Sequence, residues 1–140
     1  MVRADPYRGF RFVVEADGTT VAGFQTITGI ERQTRTEPYR EGGVNDFEHQ
    51  IAGVTTYPPL VLKRGLADTT LWDWHQQVIG GGVQRRTVSV ILLDDNRAEA
   101  WRWICLDAYP ARWVGAELDA LADAVATESV ELVHRGITRQ

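Results

Sequence analysis

The sequence predicts a mainly β fold, an antiparallel β-sandwich or barrel with one flanking α-helix. Short segments that alternate between polar and apolar residues recur along the 140 residues, bounded by Gly, Pro, Asn or Asp. Only one segment carries apolar residues at the spacing of a helix. Because 44% of the residues are hydrophobic, the chain can bury a core. We therefore expect a single domain over residues 1–140, with eight or nine short strands.

The first two strands are predicted on either side of a tight turn. Phe10–Glu15 alternates in the manner of a half-buried strand. Asp17 and Gly18 follow, and this dipeptide favours the positive φ angles of a hairpin turn. The second strand is predicted through Val21–Ile27, and Gly29 indicates a bulge near its end.

The next segment, Glu31–Glu37, is polar on both faces, so neither face offers a stripe for the core. Its threonines favour a strand, which we interpret as one whose faces both meet water or a polar partner. An exposed edge strand or a loop is the alternative. Adjacent glycines and an asparagine then predict a loop over Pro38–Asp46.

Two further strands precede the helix, with a connector between them. Phe47–Ile51 alternates weakly, Thr55–Pro59 reads as a connector, and Leu60–Arg64 is a short strand ended by Gly65.

One helix is predicted over Thr69–Ile79, with Asp68 as its N-cap and three glycines after its end. Its apolar residues recur at helical spacing, so one face should dock on the core. The predicted core-facing residues are Leu71, Trp72, Trp74 and Val78.

The second half of the chain is predicted to hold a hairpin and a closing strand. Thr87–Leu93 is β-branched and continuous, Asp94–Asn96 turns the chain, and Glu99–Leu106 returns. Further along, the pattern predicts a bend at Tyr109-Pro110, a short extension at Ala111–Val114, a helical segment at Glu117–Ala126 and a closing strand at Val125–His134.

Composition and charge exclude several classes of protein. The net charge of −4 argues against a dedicated nucleic-acid binder. The longest apolar run, Val88–Leu93, is far shorter than the roughly 20 residues that span a bilayer. The residues Met1–Pro6 lack the apolar stretch of a signal peptide, so we expect cytoplasmic synthesis.

No group of residues in the sequence has the types and spacing of a catalytic site. Cys105 is the only cysteine, which excludes an intrachain disulfide and favours a small buried hydrophobe. The three histidines are scattered and lack the spacing of a metal site, and no serine lies in a nucleophile elbow. We therefore expect no enzyme activity, no cofactor and no metal. The tryptophans are interpreted as core residues in preference to a sugar-stacking face.

Eight ordered blocks of the sequence resemble the tail tube family of contractile injection systems, from about Tyr7 to Ile137. The blocks are Tyr7–Glu15, Val21–Ile30, Glu37–Asp46, Tyr57–Gly65, Leu71–Trp74, Gln84–Leu93, Trp101–Trp113 and Val125–His134. The resemblance to the type VI haemolysin-coregulated protein is weaker.

The resemblance implies a six-membered ring in which sheets of neighbouring subunits join into one barrel around a lumen. Stacked rings would then form a hollow tube. The implied loop between subunits or rings is Tyr39, Arg40, Glu41, Gly42, Gly43, Val44, Asn45 and Asp46. The implied lumen-facing residues are Glu31, Gln33, Arg35, Glu37, Thr87 and Ser89.

The resemblance also implies partners: further copies of the chain, a sheath, a baseplate or spike, and tube-terminating subunits. A cargo effector or nucleic acid would occupy the lumen, and the assembled particle would be of the released, extracellular kind. The Gly-rich loop and the Trp-rich second half resemble tube-initiating rings at a baseplate, which is one alternative. A monomeric barrel that binds a small ligand or carbohydrate is the other.

Overall fold

A computed structural model describes residues 10–39, 49–67, 69–116 and 127–140. The described residues form nine strands and one helix. In chain order these are β1 (Phe12–Ala16), β2 (Thr19–Thr28), β3 (Gln33–Tyr39), β4 (His49–Thr56), β5 (Leu60–Ala67), α1 (Thr69–Ile79), β6 (Arg86–Leu93), β7 (Glu99–Val114), β8 (Glu128–Val133) and β9 (Gly136–Arg139).

Six of these strands close into an antiparallel barrel in the order β6-β1-β2-β5-β8-β7, because β7 pairs back onto β6. The predicted fold class, a mainly β barrel with one helix, is confirmed. Closure depends on the length of β7, which spans 16 residues. Its first part pairs with β6 on one edge, while β9 and then β8 pair along the other edge.

The interior of the barrel is a packed core. The side chains of Val14, Phe24, Leu60, Leu62 and Leu132 are fully enclosed and belong to one contiguous cluster. Cys105 lies in the same cluster, which confirms its interpretation as a small buried hydrophobe. The strands alternate because one side faces this core and the other faces outward.

Two predicted turns are confirmed. Asp17 and Gly18 both have positive φ angles, 50° and 84°, and join β1 to β2 as expected for this dipeptide. Between β6 and β7, the Asp94 carboxylate accepts hydrogen bonds from the backbone N–H groups of Asn96 and Ala98, both at 2.9 Å. A short acidic side chain therefore organises the turn locally.

The predicted bend at Tyr109-Pro110 is wrong, because β7 continues through both residues to Val114. Pro110 is buried opposite Leu132, and the register shifts between Pro110 and Arg112. The irregular pairing accommodates a residue that has no N–H to donate. The four-residue strand β9 was not predicted, because it is too short to show alternation.

Helix α1 has the predicted bounds, Thr69–Ile79. Leu71 and Trp74 are buried and Val78 is half-buried, as expected for the docked face. Trp72 is 47% exposed, so its assignment to the core is corrected. Neighbouring helical positions point about 100° apart, and Trp72 instead meets the edge of Trp113 with ring centroids 4.6 Å apart. The predicted cap Asp68 and the predicted helical segment Glu117–Ala126 lie outside the described residues.

Candidate assembly interface

Strands β3 and β4 form a separate two-stranded hairpin, which pairs with no strand of the barrel among the described residues. All seven residues of β3 are exposed. The described part of β4, residues 50–56, is exposed as well. The sequence pattern predicts a strand with two solvated faces over Glu31–Glu37, and this is confirmed for Gln33–Glu37, with the strand continuing to Tyr39. The connector predicted at Thr55–Pro59 begins later, because β4 extends to Thr56.

The hairpin continues the β2–β5 pair through a bend. Gly29 ends β2 with φ of +91°, and a Cβ there would lie 2.1 Å from the carbonyl oxygen of Pro59. Only glycine fits this close backbone approach. On either side of the bend, Ile30 and Tyr57 pack against the core. The base of the hairpin is therefore anchored, while its strands extend beyond the barrel.

The register of the hairpin sorts its side chains into two faces. Gln33, Arg35 and Glu37 alternate onto one face, where the Arg35 guanidinium lies 4.0 Å from the Glu37 carboxylate. Tyr39 and Ile51 share that face, and they are 50% and 51% exposed. This face is both charged and apolar.

The opposite face is neutral and made of small side chains. Thr34 lies opposite Thr55 with their hydroxyl oxygens 2.8 Å apart, and Thr36 lies opposite Ala52. A cross-strand hydroxyl pair of this kind adds modest stability to an exposed ladder.

A second polar surface lies on the outside of the barrel, across β2, β5, β8 and β7. Leu62 and Val130 point into the core, so their neighbours Lys63 and Glu131 point outward. The Glu131 carboxylate lies 4.0 Å from the guanidinium of Arg112 on β7. These three residues are not among the predicted site residues, although the alternation of Leu60–Arg64 and Val130–Leu132 indicates which of their neighbours face the core.

Ile30 and Tyr57 lie at the base of the hairpin and pack against the core. Gln33 and Thr56 form the first residue pair of the hairpin. Glu31 precedes β3 and lies at the base of the hairpin.

The residues predicted to face a lumen are therefore divided between two parts of the molecule. Gln33, Arg35 and Glu37 lie together on the hairpin. Thr87 and Ser89 lie on β6, three strands away from β5 in either direction around the barrel. Ser89 is only 9% exposed. The structure does not bring Thr87 and Ser89 onto the surface that carries the hairpin residues.

Of the predicted inter-subunit loop, Tyr39 is described as the last residue of β3. The rest of that loop, residues 40–46, lies outside the described residues.

Ion pairs cover the outer side of β1, β6 and β7. Arg102 donates to the Glu15 carboxylate at 3.0 Å and to the Glu99 carboxylate at 2.6 Å. These hydrogen bonds raise the pKa of Arg102 and lower the pKa of Glu99. Beneath them, Ile91 is buried although it points away from the barrel core.

Titratable groups give no sign of an activated nucleophile in the described part of the chain. Burial raises the pKa of the Cys105 thiol to about 11, which keeps it protonated. Across residues 10–39, 49–67, 69–116 and 127–140, no three His, Cys, Asp or Glu side chains lie close enough to hold a metal ion. No helix within those residues is long and apolar enough to cross a membrane.

The described residues thus form a closed barrel of six strands with one helix and an exposed two-stranded hairpin. The chain belongs to the T4-like virus tail tube protein gp19 family, whose model matches residues 8–138. No curated protein matches the sequence.

Solved structures share the fold. A chain of the PVC sheath–tube complex, an extracellular contractile injection system in its extended state, aligns with a TM-score of 0.77 and 21% identity, covering 94% of this chain and 88% of that chain. A chain of the anti-feeding prophage baseplate aligns with a TM-score of 0.75 and 24% identity, covering 99% and 97%. Hcp1 from Flavobacterium johnsoniae aligns with a TM-score of 0.61 and 16% identity, covering 93% and 94%.

Proposed function

We propose that the chain is an inner-tube subunit of a contractile injection system, which forms six-membered rings that stack into a hollow tube for cargo delivery. Membership of the tail tube family supports this function. So does the fold shared with a chain of a sheath–tube complex.

The exposed β3–β4 hairpin is the observation that carries the proposal. An isolated two-stranded hairpin is at best marginally stable in water. Here both faces are exposed, and Tyr39 and Ile51 leave about half of their surface in water. A second copy that pairs with an open edge of the hairpin would supply the strand neighbour that the hairpin lacks among the described residues. Because the hairpin and the surface that receives it differ, we propose a head-to-tail contact whose rotation closes into a ring.

The channel wall is proposed from two polar surfaces, one on the hairpin and one on the outside of the barrel. We assign to it the hairpin residues Gln33, Arg35 and Glu37 together with Lys63 and Glu131 on the barrel. The support is their exposed position and their polar character, which suits a water-filled channel. Thr87 and Ser89 are outside this assignment, because β6 lies across the barrel.

The proposed partners are a sheath, a baseplate or spike, and tube-terminating subunits, with a cargo effector or nucleic acid in the channel. Similar folds occur in chains of a sheath–tube complex, a baseplate and a tube-terminating cap. We propose that the subunit is made and assembled in the cytoplasm and that the particle acts outside the cell, as those extracellular systems do.

A tube-initiating ring at the baseplate is the second candidate role. The chain aligns over nearly its whole length with a chain of the anti-feeding prophage baseplate. The third candidate, a barrel that binds a small ligand inside, has no such support. Large apolar side chains such as Phe24 and Leu62 fill the interior of the barrel.

Negative-stain electron microscopy of the purified chain, with its mass in solution, tests the proposal. We expect six-fold rings or stacked tubes. Long tubes would favour the inner-tube role, whereas single rings would favour the initiator role. A monomer at every concentration, alone and with baseplate subunits, would contradict both.

The channel wall is tested by labelling cysteine variants in assembled tubes. Arg35→Cys and Lys63→Cys should react with a small maleimide but not with a maleimide attached to a bulky polymer, since only the small reagent enters the channel. The same variants, when unassembled, should react with both reagents. Equal labelling of assembled tubes by both reagents would refute this wall.

A further inference from the structure

A cleft lies between the residues that precede β3, next to the bend at Gly29, and the strands β7 and β9. Its volume is about 460 Å³. The lining residues are Ile30, Glu31, Arg32, Trp103, Ile137, Thr138 and Arg139. This volume falls within the roughly 300–1,000 Å³ of pockets that hold small molecules.

Apolar side chains that the core holds in place form one part of the lining. Ile137 is only 8% exposed and belongs to the core cluster, and Ile30 and Trp103 pack against that cluster. Close packing fixes the positions of such side chains. The cleft therefore offers a preformed apolar surface to a ligand.

Stacked rings position one of the two arginines at the cleft. The Arg139 guanidinium lies over the Trp101 ring, 3.5 Å from its centroid, and Trp101 stacks on Trp103 with centroids 5.8 Å apart. A guanidinium stacked on a ring directs its N–H groups outward in its own plane, where they can donate to a ligand. Within the described residues, neither Arg139 nor Arg32 forms an ion pair with a carboxylate.

The charges at the cleft favour an anion. Its lining carries two guanidiniums and the single carboxylate of Glu31, an excess of positive charge on a chain whose net charge is −4. Guanidiniums bind carboxylates through short, paired N–H···O hydrogen bonds, which are stronger than those between neutral groups. An aromatic ring beside such a carboxylate would meet the apolar part of the lining.

We propose that this cleft binds a small amphipathic anion, in which a carboxylate lies close to an aromatic ring. Arg32 and Arg139 bind the carboxylate, and the ring lies against Ile30, Trp103 and Ile137. Two kinds of molecule carry this chemistry, a free aromatic acid and the carboxyl-terminal aromatic residue of a polypeptide. The inference goes beyond the proposed function, since it depends only on the fold of a single subunit.

Isothermal titration calorimetry of the full-length chain tests the proposal. The probes are phenylpropionate, a free acid, and acetyl-glycyl-glycyl-phenylalanine, a peptide with a free carboxyl terminus. We expect saturable binding of at least one probe. The uncharged amide of that probe should bind at least about tenfold more weakly, because it loses the hydrogen bonds between charged groups.

Variants of the chain locate the ligand. Arg32→Ala and Arg139→Ala should each weaken binding at least about tenfold, since each removes a charged donor. The matched control is Arg85→Ala, whose guanidinium also lies over a ring, 4.8 Å from the Tyr109 centroid, but outside the cleft lining. It loses the same charge and should bind like the wild type. Thr138→Trp keeps the charge, fills the cleft and should also weaken binding at least about tenfold. Circular dichroism checks the fold of each variant.

Binding of phenylpropionate would support the proposal with a free acid as the ligand, and binding of the peptide alone would support it with a polypeptide terminus. Absence of saturable binding by both probes would overturn it. Equal affinity for acid and amide, or equal losses in Arg85→Ala and Arg139→Ala, would do the same. Unchanged binding in Thr138→Trp would place the ligand outside the cleft and would also overturn the proposal.

Discussion

Trp74 and Trp72 lie two positions apart on α1 and make different contributions. Trp74 is 1% exposed, and its indole N–H donates to the Gln84 carbonyl at 2.7 Å. The Arg86 guanidinium lies 5.1 Å from its ring centroid. Trp72 is 47% exposed and meets the edge of the Trp113 ring. The buried indole therefore anchors the helix.

We expect Trp74→Ala to lower the free energy of unfolding by about 3–5 kcal/mol, the range for removing a large buried aromatic side chain. Trp72→Ala should lower it by about 0.5–1.5 kcal/mol, the value of one aromatic contact. Urea unfolding followed by circular dichroism measures both. Equal losses would show that Trp74 does not anchor the helix.

The hydrogen bond from Arg102 gives stability a dependence on pH at Glu99. The pKa of Glu99 is lowered below its ordinary 4.5, first by that hydrogen bond. A carboxylate with a lowered folded-state pKa stabilises the fold above its unfolded pKa, and the contribution is lost as pH falls through the lowered value. We expect the free energy of unfolding to fall less steeply below pH 4.5 in Glu99→Gln than in the wild type.

Urea unfolding at a series of pH values from neutral to about pH 3 measures this difference. The control is the same substitution in an Arg102→Met background. There Glu99→Gln should not change how the free energy of unfolding falls at acidic pH, because the guanidinium that binds the Glu99 carboxylate is absent. An effect of equal size in both backgrounds would assign the pH dependence to other carboxylates.

At the scale of elements, the bend between β2 and β3 depends on a glycine. Gly29 and Gly18 both have positive φ, at 91° and 84°. A Cβ at Gly29 would meet the Pro59 carbonyl oxygen, whereas one at Gly18 would meet nothing within 4 Å. A substitution would therefore strain the backbone at both sites, but it would meet a steric conflict only at Gly29.

Gly18→Ala should cost about 1–2 kcal/mol, the penalty for a left-handed L-residue. Gly29→Ala should cost about 1–3 kcal/mol more, the range for overpacking a filled site. Urea unfolding of the two variants gives the comparison. A Gly29→Ala variant as stable as Gly18→Ala would mean that the bend relaxes freely around Pro59.

At the scale of the whole molecule, the segment Gly42–Asp46 was predicted to contact the next subunit or ring. Its deletion should leave the barrel intact, because the segment joins β3 to β4, and those strands pair with no barrel strand among the described residues. We expect rings to form and tubes to become shorter, as measured by tube lengths in electron micrographs. Tubes of wild-type length would show that this loop has no part in stacking.

The sequence by itself determined the local elements of this protein. The bounds of α1, the Asp17-Gly18 turn and the solvated strand β3 were predictable, because each depends on propensity and periodicity within a few residues. The tertiary structure alone decided closure of the barrel through β7, the continuation of that strand past Pro110 and the separation of Ser89 from the hairpin face. These features depend on which distant strands pair, and a pattern with period two marks two faces without saying what either one meets.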